Sequence, residues 1–189
     1  MSLLSFLSLP YANWVRKKNK TWIDKPIKHQ EKLLRELLNS AKNTQFGKDH
    51  TFKKITSYED FKNIVPIRDY EALKPYINRV LEGEENVLWR GRPLYFTKTS
   101  GTTSGIKYIP ISKSSMAYHL KGAKEALLSY ISDTKDTSFL KGKTIFIQGS
   151  PHLDYIKGIP TGRLSGIVAH HMPWYLKINN LPSFKTNCI

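Results

Sequence analysis

The chain has 189 residues, of which 40% are hydrophobic and 12% aromatic, and this composition is typical of one folded globular domain rather than a disordered segment. No apolar run is long enough to span a membrane, and the single cysteine, Cys188, excludes both a disulfide framework and a cysteine-based metal site, so we expect a cytoplasmic protein. The net charge is +15, and the excess of basic residues lies in two regions: 12 basic against 4 acidic residues in 1–54, and 12 against 4 in 94–189. Residues 55–93 are nearly neutral, with 6 basic against 7 acidic residues. The positive electrostatic field of such a chain attracts nucleotides and nucleic acids alike.

Helical spacing of apolar residues dominates the first third of the chain. The apolar start, Met1–Pro10, is followed and not preceded by basic residues, which favours a packed helix over a signal peptide. A second helix is predicted over Trp22–Lys48. We expect Asp24 as its N-cap, Pro26 in its first turn and Gly47 at its exit.

Two N-terminal capping signals predict the next helices. Ser57 and Asp60 have the spacing of a capping box, which opens a short helix that stops before Pro66. Asp69 is the expected N-cap of the following helix. Pro75 lies inside that helix and is expected to bend or divide it.

The pattern changes after residue 93. Leu94–Thr97 and Tyr108–Ile111 are short, apolar and β-prone, which predicts a strand, a loop and a second strand. Ser114–Ile131 returns to helical spacing, and Thr144–Gln148 is interpreted as a buried strand. The predicted apolar face of the helix consists of Met116, Leu120, Ala123, Leu127 and Tyr130.

These elements indicate an α/β protein with a mainly helical lobe in residues 1–93 and a sheet portion in residues 94–189. The sequence GIPTGRLSG (158–166) is interpreted as a glycine-rich loop. The last eleven residues, NNLPSFKTNCI, show no pattern of a closing helix or strand, and only three or four strands are predicted. We therefore expect the N-terminal part of a larger domain, truncated before the sheet is complete.

The loop between the two predicted strands carries the clearest chemical signal. Phosphate oxygens require several hydrogen-bond donors and a nearby cation. Glycines allow successive backbone N–H groups to converge, and small hydroxyl side chains add donors without blocking the approach. The sequence FTKTSGTTSGIKYIP (96–110) offers both, together with one lysine. The candidate phosphate-binding residues are Ser100, Gly101, Thr102, Thr103, Ser104, Gly105 and Lys107.

The order of residues in this loop distinguishes it from other phosphate loops. The common nucleotide triphosphatase loop needs a lysine followed directly by serine or threonine, whereas Lys107 is followed by Tyr108. Every constrained position from Phe96 to Lys107 instead fits the phosphate loop of adenylate-forming enzymes. An exposed Ser/Thr/Gly linker is the alternative, but it explains neither the β-prone flanks nor so complete a match.

Three longer segments resemble the Gretchen Hagen family of acyl-acid amido synthetases, named for auxin-responsive promoters, in its bacterial branch. They are FGKDHTFKKITSYEDFKNIVPIRDYEALKPYI, VLWRGRPLYFTKTSGTTSGIKYIPI and GIPTGRLSGIVAHHMPWYL. The resemblance implies an α/β adenylate-forming ligase that uses ATP and Mg²⁺, a small carboxylic acid, and an amino acid, another amine or a thiol as acyl acceptor. It places the triphosphate of ATP in the loop and implies that the adenine and ribose motifs and the C-terminal domain lie beyond Ile189. Many relatives have one more residue before the lysine, so the resemblance assigns the loop backbone more firmly than Lys107.

Other candidate sites have simpler interpretations. Arg163 in the glycine-rich segment is a possible second anion ligand, but a structural turn is favoured there. His170 and His171 are adjacent and lack neighbouring acidic or cysteine ligands, so no metal site is predicted. No catalytic side chain is assigned, since Cys188 has no base partner. A basic, non-catalytic module that binds nucleic acid or other polyanions remains the alternative function, although no nucleic-acid-binding motif is present.

Overall fold

The computed structural model describes residues 3–99 and 105–187. Its helices are α1 (Leu3–Ile23), α2 (Pro26–Ala41), α3 (Gln45–Asp49), α4 (Tyr58–Ile64), α5 (Tyr70–Leu81), α6 (Lys113–Thr134), α7 (Leu164–His171), α8 (Trp174–Lys177) and α9 (Phe184–Asn187). Its strands are β1 (Tyr95–Lys98), β2 (Tyr108–Ile111), β3 (Thr144–Ile145), β4 (Asp154–Ile156), β5 (Ile159–Gly162) and β6 (Asn180–Leu181). The α/β class expected from the sequence is confirmed. None of the helices in the described ranges combines the length and hydrophobicity that a membrane span requires.

The chain forms two compact units, and neither is one continuous segment. The first unit contains the chain up to Asp24, Ser114–Leu153 and the chain from Gly162 onward. The second unit contains Lys25–Lys113 and Asp154–Thr161. The β1–β2 hairpin and the helices α2 to α5 therefore belong to the second unit.

Helices α1 and α6 supply the core of the first unit. Ala12 and Val15 of α1 pack against Leu128 and Ile131 of α6, and all four are buried. The expected N-terminal helix and its packing are thus confirmed. A hydrogen bond from the Ser132 hydroxyl to the Asn13 side chain (2.9 Å) and an ion pair between Arg16 and Asp133 flank this apolar contact.

The predicted helix over 114–131 is present as α6, but its apolar face was only partly identified. Met116 is buried as expected, whereas Leu127 and Tyr130 are about half exposed. The buried positions are instead Leu128 and Ile131, one residue further along. Both neighbouring faces carry large apolar residues here, so sequence spacing cannot choose between them, and packing against α1 decides.

The single helix predicted over 22–48 is wrong. Trp22 is the penultimate residue of α1, and Pro26 opens α2 with Lys25, not Asp24, at the N-cap position. The helix ends at Ala41, and Gly47 lies inside α3 and is no exit residue. Thr44 causes the break, because its hydroxyl donates to the Ala41 carbonyl (2.7 Å) and accepts from the Gly47 N–H (3.0 Å).

Both predicted capping signals are confirmed. Ser57 and Asp60 form a reciprocal capping box at the start of α4, which ends at Ile64 before the proline. The Asp69 carboxylate accepts a hydrogen bond from the Ala72 N–H (2.8 Å) at the start of α5. Pro75 does not divide α5, which is continuous from Tyr70 to Leu81.

The second unit contains an antiparallel hairpin at the edge of a sheet. The strand order is β2-β1-β5-β4, so β2 is an edge strand. β1 pairs with β2, and β4 pairs with β5, in antiparallel fashion. Phe96 of β1 is fully buried and packs with Val80, Val87 and Ile159. The hairpin is therefore fixed to the core of its unit.

Thr144–Gln148 and the end of the chain differ from expectation. Only Thr144 and Ile145 form a strand, and both are exposed, so a buried strand is wrong. Its partner is β6, which pairs with β3 in parallel and lies with α9 in the segment expected to be irregular. The apolar sequence of a strand does not show which other elements pack against it. β3 belongs to a sheet of only two strands in the described residues, and its apolar residues are exposed.

The glycine-rich segment 158–166 is also not a loop. It contains β5 and the start of α7, with Arg163 at the N-cap position. A Cβ atom on Gly166 would lie 2.2 Å from the Ser150 carbonyl oxygen, so this glycine permits close backbone packing. The structural interpretation of these glycines explains their positions without an anion.

Candidate phosphate-binding site

Strands β1 and β2 frame the glycine–hydroxyl loop as the sequence predicts. Phe96 lies opposite Pro110, and Thr97 lies opposite Ile109. The two strands predicted on either side of the loop are thus confirmed, and they pair with each other. The side chain of Phe96 is anchored in the core, whereas Ile109 is partly exposed at the sheet edge.

Five of the seven candidate phosphate-binding residues lie outside the described residues. These are Ser100, Gly101, Thr102, Thr103 and Ser104. Gly105 and Lys107 are described, as is Thr99 on the other side of the loop. The Thr99 N–H donates a hydrogen bond to the Lys107 carbonyl (3.0 Å), which extends the ladder between β1 and β2 to the base of the loop.

Gly105 has the backbone conformation for which glycine is specifically suited. Its φ angle is +78°, in the left-handed region that side-chain-bearing residues rarely adopt. Apart from its chain neighbours, no described residue has an atom within 4 Å of a Cβ built on Gly105. The described structure at Gly105 thus needs glycine for its backbone and leaves open space beside it, which suits the approach of a ligand.

Lys107 lies over an aromatic ring. Its Nζ atom is 5.3 Å from the centre of the Tyr70 ring, within the range of a cation–π interaction. The Tyr70 hydroxyl accepts a hydrogen bond from the Tyr108 N–H (2.9 Å) and is 3.4 Å from the Tyr108 carbonyl oxygen. Tyr70 thus contacts both the lysine and the strand that follows it.

Lys98 lies on the opposite side of the loop and is already paired. Its ammonium group forms an ion pair with Asp154 of β4. The two lysines that flank the loop therefore differ, since a carboxylate offsets the charge of Lys98 and an uncharged ring lies under Lys107.

A polar cluster links α3 to the segment before α5. His50 is buried, its Nδ1 atom lies 2.8 Å from the Phe46 carbonyl oxygen, and its Nε2 atom lies 3.0 Å from the Arg68 guanidinium group. The Tyr76 hydroxyl donates to Asp49 (2.8 Å). This hydrogen bond is the main cause of the lowered pKa of Asp49, whereas burial is the main cause of the raised pKa of Tyr76. The cluster fixes the helix from which Tyr70 projects.

Sequence reasoning missed Tyr70. It is the first residue of α5, directly after the predicted cap Asp69, and it lies 37 positions from Lys107. The only local signal was an aromatic residue at the start of a capped helix, and this pattern does not indicate which loop the ring will face.

The other candidate residues have structural environments. The Nε2 atom of His170 lies 2.7 Å from the Pro151 carbonyl oxygen, and the His170 ring packs edge-on against Phe184. No group of three metal-ligating side chains occurs in residues 3–99 and 105–187. Cys188 lies outside the described residues.

The sequence and the fold of this chain were compared with those of known proteins, and both comparisons point to one family. The sequence profile of the GH3 family N-terminal domain matches residues 16–188. The fold is similar to AtGH3.15 acyl acid amido synthetase in complex with 2,4-DB, with a TM-score of 0.64 at 19% identity over 75% of this chain. A second structure, GH3.15 acyl acid amido synthetase, gives a TM-score of 0.62 at 20% identity over 72% of this chain. The fold is thus that of the N-terminal region of these synthetases.

Curated relatives agree with this assignment. The jasmonoyl–L-amino acid synthetase JAR4 of Nicotiana attenuata is 28% identical over 71% of this chain. The indole-3-acetic acid-amido synthetase GH3.5 of Arabidopsis thaliana is 33% identical over 40% of it. The chain belongs to the GH3 family. This chain spans only part of its relatives: it covers 23% of the length of JAR4, 12% of GH3.5 and 25% of AtGH3.15. Its placement in the bacterial branch of the family stays a prediction.

Proposed function

We propose that this chain carries the phosphate-binding part of an ATP-dependent ligase. The ligase would activate a small carboxylic acid as an acyl adenylate and transfer the acyl group to an amino acid or another amine. The observation that carries the proposal is the β1–β2 hairpin, which holds the ends of the glycine–hydroxyl loop together and places Gly105 and Lys107 at its exit. Membership of the GH3 family supports the reaction class.

Each loop residue has a defined role in this proposal. The backbone N–H groups and hydroxyls of residues 100–105 would donate to the oxygens of the β- and γ-phosphates of ATP. Lys107 would supply one positive charge at the same oxygens. Apart from its chain neighbours, no described residue has an atom within 4 Å of the position that a Gly105 Cβ would take, which leaves room for such a ligand.

The chemistry has two steps. A carboxylate oxygen of the acid attacks the α-phosphorus, and the bond from that phosphorus to the pyrophosphate oxygen breaks. The nitrogen of the amine then attacks the acyl carbonyl carbon, the bond to AMP breaks, and the amine loses a proton. The loop contributes positioning and charge neutralisation, and no side chain of the loop forms a covalent bond.

Mg²⁺ would be held at this site mainly by the phosphate oxygens of ATP. When bound, Mg²⁺ neutralises part of the charge on the leaving pyrophosphate. It is usually held by phosphate oxygens, water and one or two carboxylates. The described residues contain no cluster of three potential ligands, so we assign no side chain of this chain to it.

Acid-dependent exchange of pyrophosphate into ATP tests the proposal. The protein, together with any region that its gene encodes after residue 189, would be incubated with ATP, labelled pyrophosphate and a panel of aryl and aliphatic acids. Reactions lacking acid are the control. We expect exchange with at least one acid, and an amide product by mass spectrometry once amino acids are added. Absence of acid-dependent exchange across the panel would overturn the proposal.

Polyanion binding is a second candidate function, and one feature of the first unit favours it. Tyr11 stacks on Trp14 on the exposed face of α1 (5.9 Å between ring centres). Lys124 lies over Tyr11 (4.8 Å) and Lys18 over Trp14 (5.4 Å). Exposed aromatic rings flanked by lysines are suited to stacking with nucleic-acid bases.

Salt dependence separates the two functions. Binding of an oligonucleotide through the net charge of +15 should fall steeply between low and moderate salt. Binding of ATP in a formed loop should fall less. Oligonucleotide binding that persists at moderate salt and exceeds ATP binding would favour the nucleic-acid function.

A further inference from the structure

We propose that Tyr70 is a positioning residue that holds Lys107 ready for the triphosphate. The inference rests on the proposed function, because it assigns a partner to the lysine of that same loop. It is carried by two contacts of one side chain: the ring lies under the Lys107 ammonium group, and the hydroxyl bonds to the backbone of the next residue, Tyr108.

The hydroxyl of Tyr70 caps an edge strand. Hydrogen-bonded and non-hydrogen-bonded pairs alternate along an antiparallel ladder. Because Thr99 and Lys107 form a hydrogen-bonded pair, the backbone N–H and carbonyl of Tyr108 point away from β1. Among the described residues no further strand pairs with β2 on that side, and the Tyr70 hydroxyl reaches both groups instead. The start of β2 is thereby fixed to α5.

Tyr70 itself is fixed by its helix. It is the first residue of α5, directly after the Asp69 cap, and α5 is anchored by the buried side chains of Ile77 and Val80. The ring therefore stands on a rigid element and not on the loop that it supports. Such support is what a binding side chain needs to be held in its productive geometry.

The ring orients the lysine without neutralising it. A lysine side chain has many rotamers, and restricting them before ATP binds reduces the entropy that binding must remove. A carboxylate partner would also restrict the lysine, as Asp154 does for Lys98, but it would compete with the phosphate. The face of an aromatic ring attracts the ammonium group weakly and leaves its charge available.

The test compares ring variants at position 70 in the protein as its gene encodes it. Tyr70→Phe keeps the ring and removes the hydroxyl, whereas Tyr70→Leu removes both. We expect the KM for ATP in pyrophosphate exchange to rise about two- to fivefold in Tyr70→Leu and less in Tyr70→Phe, which keeps the ring and loses only the hydroxyl, with kcat unchanged in both. In a Lys107→Ala background, Tyr70→Leu should raise KM no more than Tyr70→Phe does.

A spectroscopic measurement gives an independent readout on the 189-residue chain. Ring currents of Tyr70 should shift the side-chain methylene signals of Lys107 upfield in a ¹H–¹³C spectrum. The shift should persist in Tyr70→Phe and disappear in Tyr70→Leu. Should Tyr70→Leu fail to fold, pentafluorophenylalanine at position 70 replaces it, because this residue keeps a ring only slightly larger than that of phenylalanine and reverses the charge distribution of the ring face.

The outcomes separate this inference from the proposed function. A rise in KM for Lys107→Ala with none for Tyr70→Leu or pentafluorophenylalanine overturns the positioning role and leaves the ligase proposal standing. An equal rise for Tyr70→Leu with and without Lys107 shows a merely structural role and also overturns it. Normal ATP use by both Lys107→Ala and Gly101→Val argues against the phosphate loop itself.

Discussion

The backbone N–H of Thr99 and the carbonyl of Lys107 are hydrogen-bonded at 3.0 Å across the base of the glycine–hydroxyl loop. This bond continues the β1–β2 ladder, so both ends of the intervening seven residues are held together before any ligand binds. Closing a loop costs conformational entropy, and here the hairpin provides the closure. A phosphate group that binds here would therefore not have to bear the cost of closing the loop.

The first prediction compares a backbone defect with the loss of one charge. Gly101→Val should impair ATP use more than Lys107→Ala does, because the glycine serves several N–H donors and the lysine is one charge. Removal of that charged contact is expected to cost about 1.5–3 kcal/mol of ATP binding free energy. Pyrophosphate exchange by the two variants decides the order. An active Gly101→Val variant would show that the loop does not hold phosphate.

The second prediction concerns the left-handed conformation of Gly105. Gly105→Ala should lower the free energy of unfolding by about 1–2 kcal/mol, because alanine is strained at a φ of +78° even though space is open. Gly122→Ala is the matched control, since it lies within α6 with no atom near its Cβ position. That change should stabilise the chain by about 0.5–1 kcal/mol. Urea denaturation measures both, and stabilisation by both would contradict the strain.

The third prediction concerns the packing of α3 against the end of α2. A Cβ atom on Gly47 would lie 2.1 Å from the Ala41 carbonyl oxygen, which is backbone and cannot rotate away. Gly47→Ala should therefore destabilise the chain by about 3 kcal/mol. Gly142→Ala, where the Cβ position has no neighbour within 4 Å, should change stability by less than about 0.5 kcal/mol. Equal urea midpoints for the two variants would rule out the close contact.

Local sequence signals predicted the starts of α4 and α5 and the hairpin well, whereas the cap expected at Asp24 was wrong. The caps at Ser57 and Asp69 depend on one side chain and the three residues after it, and both are confirmed. β2 has the predicted bounds, and β1 is shifted by one residue from the predicted 94–97. Such features depend on interactions between residues that are close in the sequence, so the sequence alone is enough to predict them.

Features that depend on distant residues were missed. The break at Thr44 was also missed, although the hydrogen bond from its hydroxyl to the Ala41 carbonyl is local, because the continuous helical spacing of apolar residues concealed it. The exposure of Ile145 depends on which elements cover β3, and the Lys107–Tyr70 contact depends on how α5 packs beside β2. Residues 100–104, the centre of the candidate site, lie outside the described residues, so their contacts stay predictions.

The fourth prediction concerns acid stability at the capping box of α4. Hydrogen bonds from Thr56, and then from Ser57, hold the pKa of Asp60 below its ordinary value of 3.8. A carboxyl with a lowered folded pKa contributes stability above its unfolded pKa and loses it as the pH falls through the folded value. The Asp60→Asn variant should therefore be less stable than wild type at pH 7 and approach it below about pH 3.8.

Urea midpoints measured from pH 7 to about pH 2.5 test this dependence on pH. Glu59→Gln is the control, because Glu59 is exposed and its contact with Lys62 (3.2 Å) is a surface ion pair of small energetic value. We expect that control to differ little from wild type at pH 7. A constant difference between Asp60→Asn and wild type at every pH would contradict the role of the charge.

The last prediction is that these 189 residues alone will not catalyse adenylation. They match about a quarter of the length of the solved relatives and contain one candidate phosphate loop, with no group assigned to adenine or ribose. ATP held only by its phosphates would lack a fixed angle at the α-phosphorus, and positioning of this kind supplies roughly 7–11 kcal/mol of the barrier reduction in well-oriented reactions. We therefore expect exchange by the purified 189-residue chain to remain at the level of reactions without acid, while tripolyphosphate still binds weakly and broadens the Lys107 signals. The control is a polypeptide in which the same residues are continued by the remaining region of a GH3 relative. Clear acid-dependent exchange by the 189-residue chain would show instead that the adenine and ribose contacts already lie within it.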